Sequence, residues 1–212
     1  GKSIPVRLPT IIAEHHISAA LAAAAVGLFF KMNPLEVAEA LRNFQSLPGR
    51  MRLFEGVRHS LVVDDTYNAS PKSLRAALKT LGSLESARRV VALGDMLELG
   101  ADSDQAHRDV ATWILDGGIQ DVFLLGKNML LAKEELERAG FPKDRLHWFS
   151  DPESLGEQLA ASVREGDMIL LKGSQGMRLE KAVEMVLLDP SGMRARLCRQ
   201  SDEWKRIPFL LS

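Results

Sequence analysis

From residue 61 to residue 188 the sequence alternates short, wholly apolar runs with longer amphipathic stretches, which leaves few folds open. Val90-Val91-Ala92-Leu93, Val122-Phe123-Leu124-Leu125 and Ile169-Leu170-Leu171 carry no polar residue on either face. A strand wetted on one side alternates apolar with polar residues, so these runs read as strands covered on both sides. The pattern predicts strands at 52–57, 60–64, 89–93, 121–125, 146–149 and 168–171, the first two paired antiparallel. Helices are expected at 73–84, 103–115, 128–139, 151–163 and 178–188, with Ser103 placed to cap the second of them. The fold class expected is α/β: a Rossmann-like, mostly parallel sheet with helices on both faces. About five strands should run parallel, with an antiparallel strand added at the edge.

The ends of the chain read differently. Residues 14–30 are dominated by Ala, with Ile17, Leu21, Val26, Leu28 and Phe29 among them, and predict a helix buried on most sides. Asn33-Pro34 opens a second helix to residue 43. A lone helix pair is a poor domain and wants something else to pack against. Leu47-Pro48-Gly49-Arg50 then reads as a linker. Residues 191–212 form a mixed tail in which Trp204, Ile207, Phe209 and Leu210 either dock on the domain or serve a partner.

Composition narrows the function classes. Lys and Arg total 27 against 28 Asp and Glu, a net charge of −1, so no nucleic-acid footprint or polybasic anchor is expected. Cys198 is the single cysteine; it pairs with nothing in the chain and has no neighbouring base to make it a nucleophile. The longest apolar run, 19–30, is shorter than the roughly 20 residues of a membrane span. A cytoplasmic protein is therefore expected. The histidines, at 15, 16, 59, 107 and 147, do not have metal-ligand spacing, so no metal site is expected among them.

In open parallel sheets, ligands sit beyond the carboxyl ends of the strands. The residues there are Asp64-Asp65-Thr66-Tyr67-Asn68, Gly94-Asp95, Gly126-Lys127 and Lys172-Gly173-Ser174-Gln175-Gly176. The last is an anion cradle by pattern: glycines let backbone N–H groups converge, Lys172 adds charge, and a helix from Arg178 adds its amino end. The same letters also suit a tight strand-to-helix turn with a surface lysine. His107 follows the 95–104 loop, near Glu98, and reads either as a satisfied helix histidine or as part of that site. No G-x-G-x-x-G follows any strand, and Gly1-Lys2-Ser3 matches only the end of a P-loop.

Taken together, four motifs in order resemble the Mur ligase family. They are Leu47-Pro-Gly-Arg-Met51; Asp64-Asp-Thr-Tyr-Asn-Ala-Ser-Pro71; Leu93-Gly-Asp-Met-Leu-Glu-Leu-Gly100 with Ser103 and His107; and Leu171-Lys-Gly-Ser-Gln-Gly-Met-Arg-Leu-Glu180. Within the family they resemble members that add D-alanyl-D-alanine to a UDP-N-acetylmuramoyl-tripeptide. The resemblance implies that residues 1–47 are the end of a central ATPase domain, 48–190 the C-terminal Rossmann-like domain, and 191–212 a tail of unassigned role. It implies ATP and Mg2+, with the P-loop and metal ligands in parts this sequence lacks, and partnership with the missing N-terminal and central domains. It implies amide formation through an acyl phosphate in peptidoglycan precursor synthesis. A stand-alone binding module without catalysis, or another Mur-type amino acid ligase, is the alternative.

The resemblance also implies roles. Arg50 reaches the nucleotide phosphates, and with Lys172 is a catalytic candidate. His15, Asp65, Tyr67 and Asn68 join Arg50 on the nucleotide side, Asp65 accepting from ribose hydroxyls. Lys172, Ser174 and Gln175 face the peptide or the incoming dipeptide. Asp95, Glu98 and His107 either contact substrate or stabilise the loop. The sequence departs from the family at four points: His16 stands where Asn is usual, Ala19 where an adenine-associated Asn is usual, Ser70 where a second Asn is usual, and Gln175 where Arg is usual.

Overall fold

The computed structural model describes residues 3–207 and 209, apart from the side chains of Glu14 and His15. It divides into two compact units, Gly1–Leu47 and Pro48–Ser212.

The first unit is a helix pair, α1 (Glu14–Phe29) and α2 (Pro34–Arg42). Asn33 starts α2 by accepting from the Leu35 N–H at 2.9 Å, while Glu36 reaches back to the Asn33 N–H. Ala20 on α1 meets Val37 and Leu41 on α2, with Leu8 and Ala24 beside them. The expectation that α1 is buried on most sides is not met within this unit. Leu21, Val26, Leu28 and Phe29 are exposed, Phe29 to 79%. An Ala-rich helix paired with a nine-residue partner has too little neighbouring surface to cover more than one stripe.

The second unit is built on a six-stranded sheet. The strands are β1 (Arg52–Glu55), β2 (Leu61–Asp65), β3 (Arg88–Gly94), β4 (Asp121–Leu125), β5 (Leu146–Phe149) and β6 (Asp167–Lys172). Their order is β1-β2-β6-β3-β4-β5; β1 is the antiparallel edge and every other pairing is parallel. The expected fold class is the one found. Alternate residues on the strands point to opposite faces. Val62, Val90, Ala92, Phe123, Leu125, Ile169 and Leu171 share one core with α6 (Pro152–Ser162) and α7 (Glu180–Val186). Their alternates, such as Val63, Val91, Leu124 and Leu170, are equally buried. The buried sides of α3 (Pro71–Ser83), α4 (Ser103–Asp116) and α5 (Met129–Arg138) face them. Two short helices, α8 (Pro190–Met193) and α9 (Asp202–Arg206), carry the tail. No helix among the described residues is long and apolar enough to cross a membrane.

Two details correct the sequence reading. Ser103 does not cap α4, which is entered instead through a 3₁₀ turn at Gly100–Asp102. The last long helix does not begin at Arg178. A 3₁₀ turn at Gln175–Met177 and a left-handed Arg178 (φ 54°) come first, and α7 starts at Glu180. At the opposite end of the sheet, Arg88 on β3 donates to Asp167 at 2.9 Å, to Asp121 at 3.2 Å and to the Ser162 carbonyl at 2.9 Å. This buried fork joins the starts of three neighbouring strands and leaves their carboxyl ends to form a site.

Candidate functional site

Strands β2, β6 and β3 are neighbours, and their last residues lie side by side: Asp65 pairs with Lys172, and Lys172 with Leu93. The loops after them converge on Ser174. Its N–H donates to the Asp95 carbonyl at 3.0 Å, and its hydroxyl accepts from the Leu97 N–H at 2.8 Å. The Asp95 carboxylate accepts from the N–H groups of Met129 (2.9 Å) and Asn128 (3.2 Å), at the start of α5. His107 accepts from the Met96 N–H through Nε2 at 3.0 Å, which leaves Nδ1 to donate to the Ser103 carbonyl at 2.7 Å. Both ring nitrogens serve the backbone and the side chain is fully buried. Asp95, Ser174 and His107 thus hold loops, which for Asp95 and His107 is one of the two roles expected of them. Glu98, by contrast, is exposed on that loop with a φ of 65°, and Gln175 is half-buried.

Lys172 requires the main correction. It is 1% exposed. Its ammonium donates to Asp65 Oδ2 at 2.6 Å and to the Asn68 carbonyl at 2.9 Å. A strand-end lysine whose neighbour in register is a strand-end aspartate turns inward to pair with it. Gly173 likewise serves packing: a Cβ there would stand 2.9 Å from Leu179 and 3.0 Å from the Gly94 Cα. The 172–176 segment is therefore an internal seam, its ammonium paired with Asp65 and its end a 3₁₀ turn ahead of α7.

The exposed chemistry lies one strand away. The Pro48–Met51 segment is tied to the end of β2 by both carboxylates of the Asp64-Asp65 doublet. Asp64 accepts from the Gly49 N–H at 3.2 Å and Asp65 from the Met51 N–H at 3.1 Å. The Gly49 carbonyl accepts from the Tyr67 N–H at 3.0 Å. Gly49 has a φ of 67°, and a Cβ there would be 2.8 Å from the Tyr67 nitrogen. That close, left-handed approach admits only glycine. The pinned segment presents Arg50 outward, with its guanidinium 4.2 Å from the centre of the Tyr67 ring. Arg50 is exposed, Tyr67 is 43% exposed, and the Asn68 amide stands exposed beside them. The structure thus brings Arg50, Asp65, Tyr67 and Asn68 together. The His15 side chain lies outside those described.

Asp64 stands among the strand-end residues read from the sequence but has no role assigned there. It is fully buried and accepts from the Thr66 hydroxyl at 2.6 Å and the Thr66 N–H at 3.1 Å. Burial pushes its carboxyl up to about 6, against the pull of those hydrogen bonds. A carboxyl raised on folding favours the folded state when protonated. Its contribution is complete below about pH 4 and is lost as the pH rises through about 6. Urea melts of the chain and of Asp64→Asn should therefore differ by a stability gap that changes with pH. Relative to the variant, the wild type should lose on the order of 3 kcal/mol between pH 4 and pH 7. A gap independent of pH would contradict this.

The tail also closes on this loop. Arg199 donates to the Tyr67 carbonyl at 3.2 Å and to the Thr66 carbonyl, and Cys198 lies 3.3 Å from the Thr66 hydroxyl. Burial raises the Cys198 thiol to about 11, so it stays protonated at neutral pH. No group of three or more His, Cys, Asp or Glu among the described residues is arranged to hold a metal ion.

Comparison with known proteins gives the family. Residues 49–175 match the family described as Mur ligase, glutamate ligase domain. The UDP-N-acetylmuramoyl-tripeptide–D-alanyl-D-alanine ligase of Bacillus subtilis is 32% identical over 85% of this chain and 39% of its own length. The chain thus spans about two fifths of that relative. A crystal structure of MurF from Acinetobacter baumannii superposes with a TM-score of 0.71 at 28% identity, over 84% of this chain and 38% of that one. MurF from Thermotoga maritima, crystallised in complex with ADP, matches with a TM-score of 0.57 at 26% identity, over 76% of this chain and 35% of that one. Since the family match runs from Gly49 beside the outward arginine to Gln175 on the internal seam, more than half of the residues, the chain belongs to the Mur ligase family.

Proposed function

We propose that this chain supplies the C-terminal part of an ATP-dependent ligase that joins D-alanyl-D-alanine to UDP-N-acetylmuramoyl-tripeptide through an acyl phosphate, in the making of peptidoglycan precursors. The observation that carries this reading is the exposed Arg50 guanidinium, held over Tyr67 at the carboxyl end of β2. The names and alignment of the relatives support it.

The donor set fits a nucleotide. A guanidinium forks onto phosphate oxygens and an aromatic face takes a flat apolar partner, while the buried Asp65 carboxylate, accepting from Lys172 and Met51, fixes the strand end beneath them. Bound ATP supplies the activated phosphoryl group. Arg50 then holds phosphate charge, Tyr67 confines the Arg50 side chain, and Asn68 offers its amide at the rim. Lys172 acts through Asp65, which it keeps in place. Asp95, Ser174 and His107 hold the neighbouring loops, and we assign the incoming dipeptide to Glu98 and Gln175, which are respectively exposed and half-buried beside them. Among the described residues no three His, Cys, Asp or Glu are arranged to hold a metal ion, and no role in holding magnesium is assigned to this chain.

The test is complementation. The chain is mixed with the N-terminal and central regions of the Bacillus subtilis relative, ATP, magnesium, UDP-N-acetylmuramoyl-tripeptide and D-alanyl-D-alanine. Phosphate release that needs every component is expected, and none from the chain alone. Arg50→Gln should raise the KM for ATP about tenfold or more, the worth of one charge-assisted phosphate contact. Magnesium-dependent ATP turnover by the chain alone, or unchanged kinetics in the variant, would overturn the reading.

A further inference from the structure

The loop that carries Tyr67 is gripped from two sides. On one side the Gly49 carbonyl takes the Tyr67 N–H. On the other, the Arg199 guanidinium takes the Thr66 and Tyr67 carbonyls. Successive carbonyls pointing at one guanidinium fix both peptide planes, and with them the direction in which the Tyr67 ring leaves the backbone. Arg199 is itself aimed: its Nε and Nη2 lie 3.2 and 3.0 Å from Glu180 Oε2, and it is buried. Glu180 is held in turn by Arg178 at 2.7 Å, and Arg178 also donates to the Trp204 and Ile207 carbonyls in the tail. Tail, seam and loop thus meet on one carboxylate.

We propose that Arg199 is a positioning residue for the nucleotide side of the site: through the Thr66 and Tyr67 carbonyls it orients the Tyr67 ring that confines Arg50. The residue touches no substrate. Its identification with the nucleotide side rests on the function proposed above, whereas its grip on Tyr67 does not. Replacing it leaves no charge stranded, because Glu180 keeps Arg178 as a partner. Arg199→Met is therefore expected to fold.

Tyr67 is the chain's one tyrosine, so 3-fluorotyrosine labelling gives a single fluorine resonance from the ring in question. Arg199→Met should move that resonance in the direction that Arg50→Gln moves it, with thermal unfolding still cooperative. Arg199→Lys, which cannot fork over two carbonyls, should fall between the wild type and Met. A resonance unmoved in Arg199→Met would overturn the strap. In the complemented enzyme, Arg199→Met should raise the KM for ATP about fivefold or more, with kcat within about twofold and the KM for D-alanyl-D-alanine unchanged. A moved resonance with an unchanged KM for ATP would overturn the nucleotide assignment, and the grip on Tyr67 would stand. Absence of turnover in the complemented wild type would count against the proposed function alone.

Discussion

Glu180→Gln should be among the most damaging single changes in this chain, costing about 3–5 kcal/mol. Its carboxylate is 2% exposed and holds two buried guanidiniums, Arg178 at 2.7 Å and Arg199 at 3.0 Å. The amide keeps the shape and removes the charge. Both arginines are then left with carbonyl partners alone, and each carbonyl offers a dipole where a full countercharge had stood. A loss of that size is a large part of the 5–15 kcal/mol by which domains are stable. The contrast within the same region is Glu153, which pairs with Lys181 at 2.5 Å while both side chains remain substantially exposed. Glu153→Gln should cost between 0 and about 1 kcal/mol, since water already screens that pair. Urea melts of both variants decide the matter. The tail should also become open to trypsin at Arg199 and Lys205 in Glu180→Gln. A loss below about 1 kcal/mol would show that the buried carboxylate is not what holds the arginines.

Sequence alone reached the fold because the apolar runs are short, unbroken and regularly spaced. Val90 to Leu93 has no polar residue to leave facing water, so a covered parallel strand is its remaining option. At the end of β2 the family resemblance grouped Arg50, Asp65 and Tyr67, and the structure brings them together, since Asp65 holds the Met51 N–H and Arg50 lies over the Tyr67 ring. At the end of β6 the letters left two readings open, an anion cradle or a tight turn. Lys-Gly-Ser-Gln-Gly has the letters of an anion loop, but what they do depends on the neighbouring strand, and register opposite Asp65 is not visible in a local motif. His107 was open in the same way, and the satisfied helix histidine is the arrangement found, its partners being backbone groups of the loop before it. The Glu180–Arg199 pair joins residues 19 apart across an irregular segment, so no helical or strand periodicity announces it. Residues whose partners are set by topology were the ones that local reasoning could not assign.

Lys172→Met should be comparably costly, and its pH dependence separates charge from packing. Met fills most of the space of the lysine stem but gives Asp65 no cation. The buried carboxylate then keeps the Met51 N–H and the more distant Arg50, and a loss of about 3–5 kcal/mol is expected at pH 7. Burial already pushes the Asp65 carboxyl up, and Lys172 is the foremost influence holding it down. Removing that influence raises the carboxyl further. The variant's deficit should therefore shrink as the pH falls through the new value, where protonation relieves the stranded charge. A deficit caused by lost packing would stay constant with pH. Adding Asp65→Asn should recover most of the stability at neutral pH, since the amide oxygen can still accept from Met51 and no unpaired charge is left at position 65. Melts from pH 5 to 8 on the two single variants and the double variant measure all three effects. A deficit that grows on acidification, or a double variant no better than Lys172→Met, would refute the ion pair as the bond between β2 and β6. The test bears on function as well: if the pair is what holds Asp65 in place, the ammonium is committed to the fold, and the charge that meets nucleotide phosphate falls to Arg50.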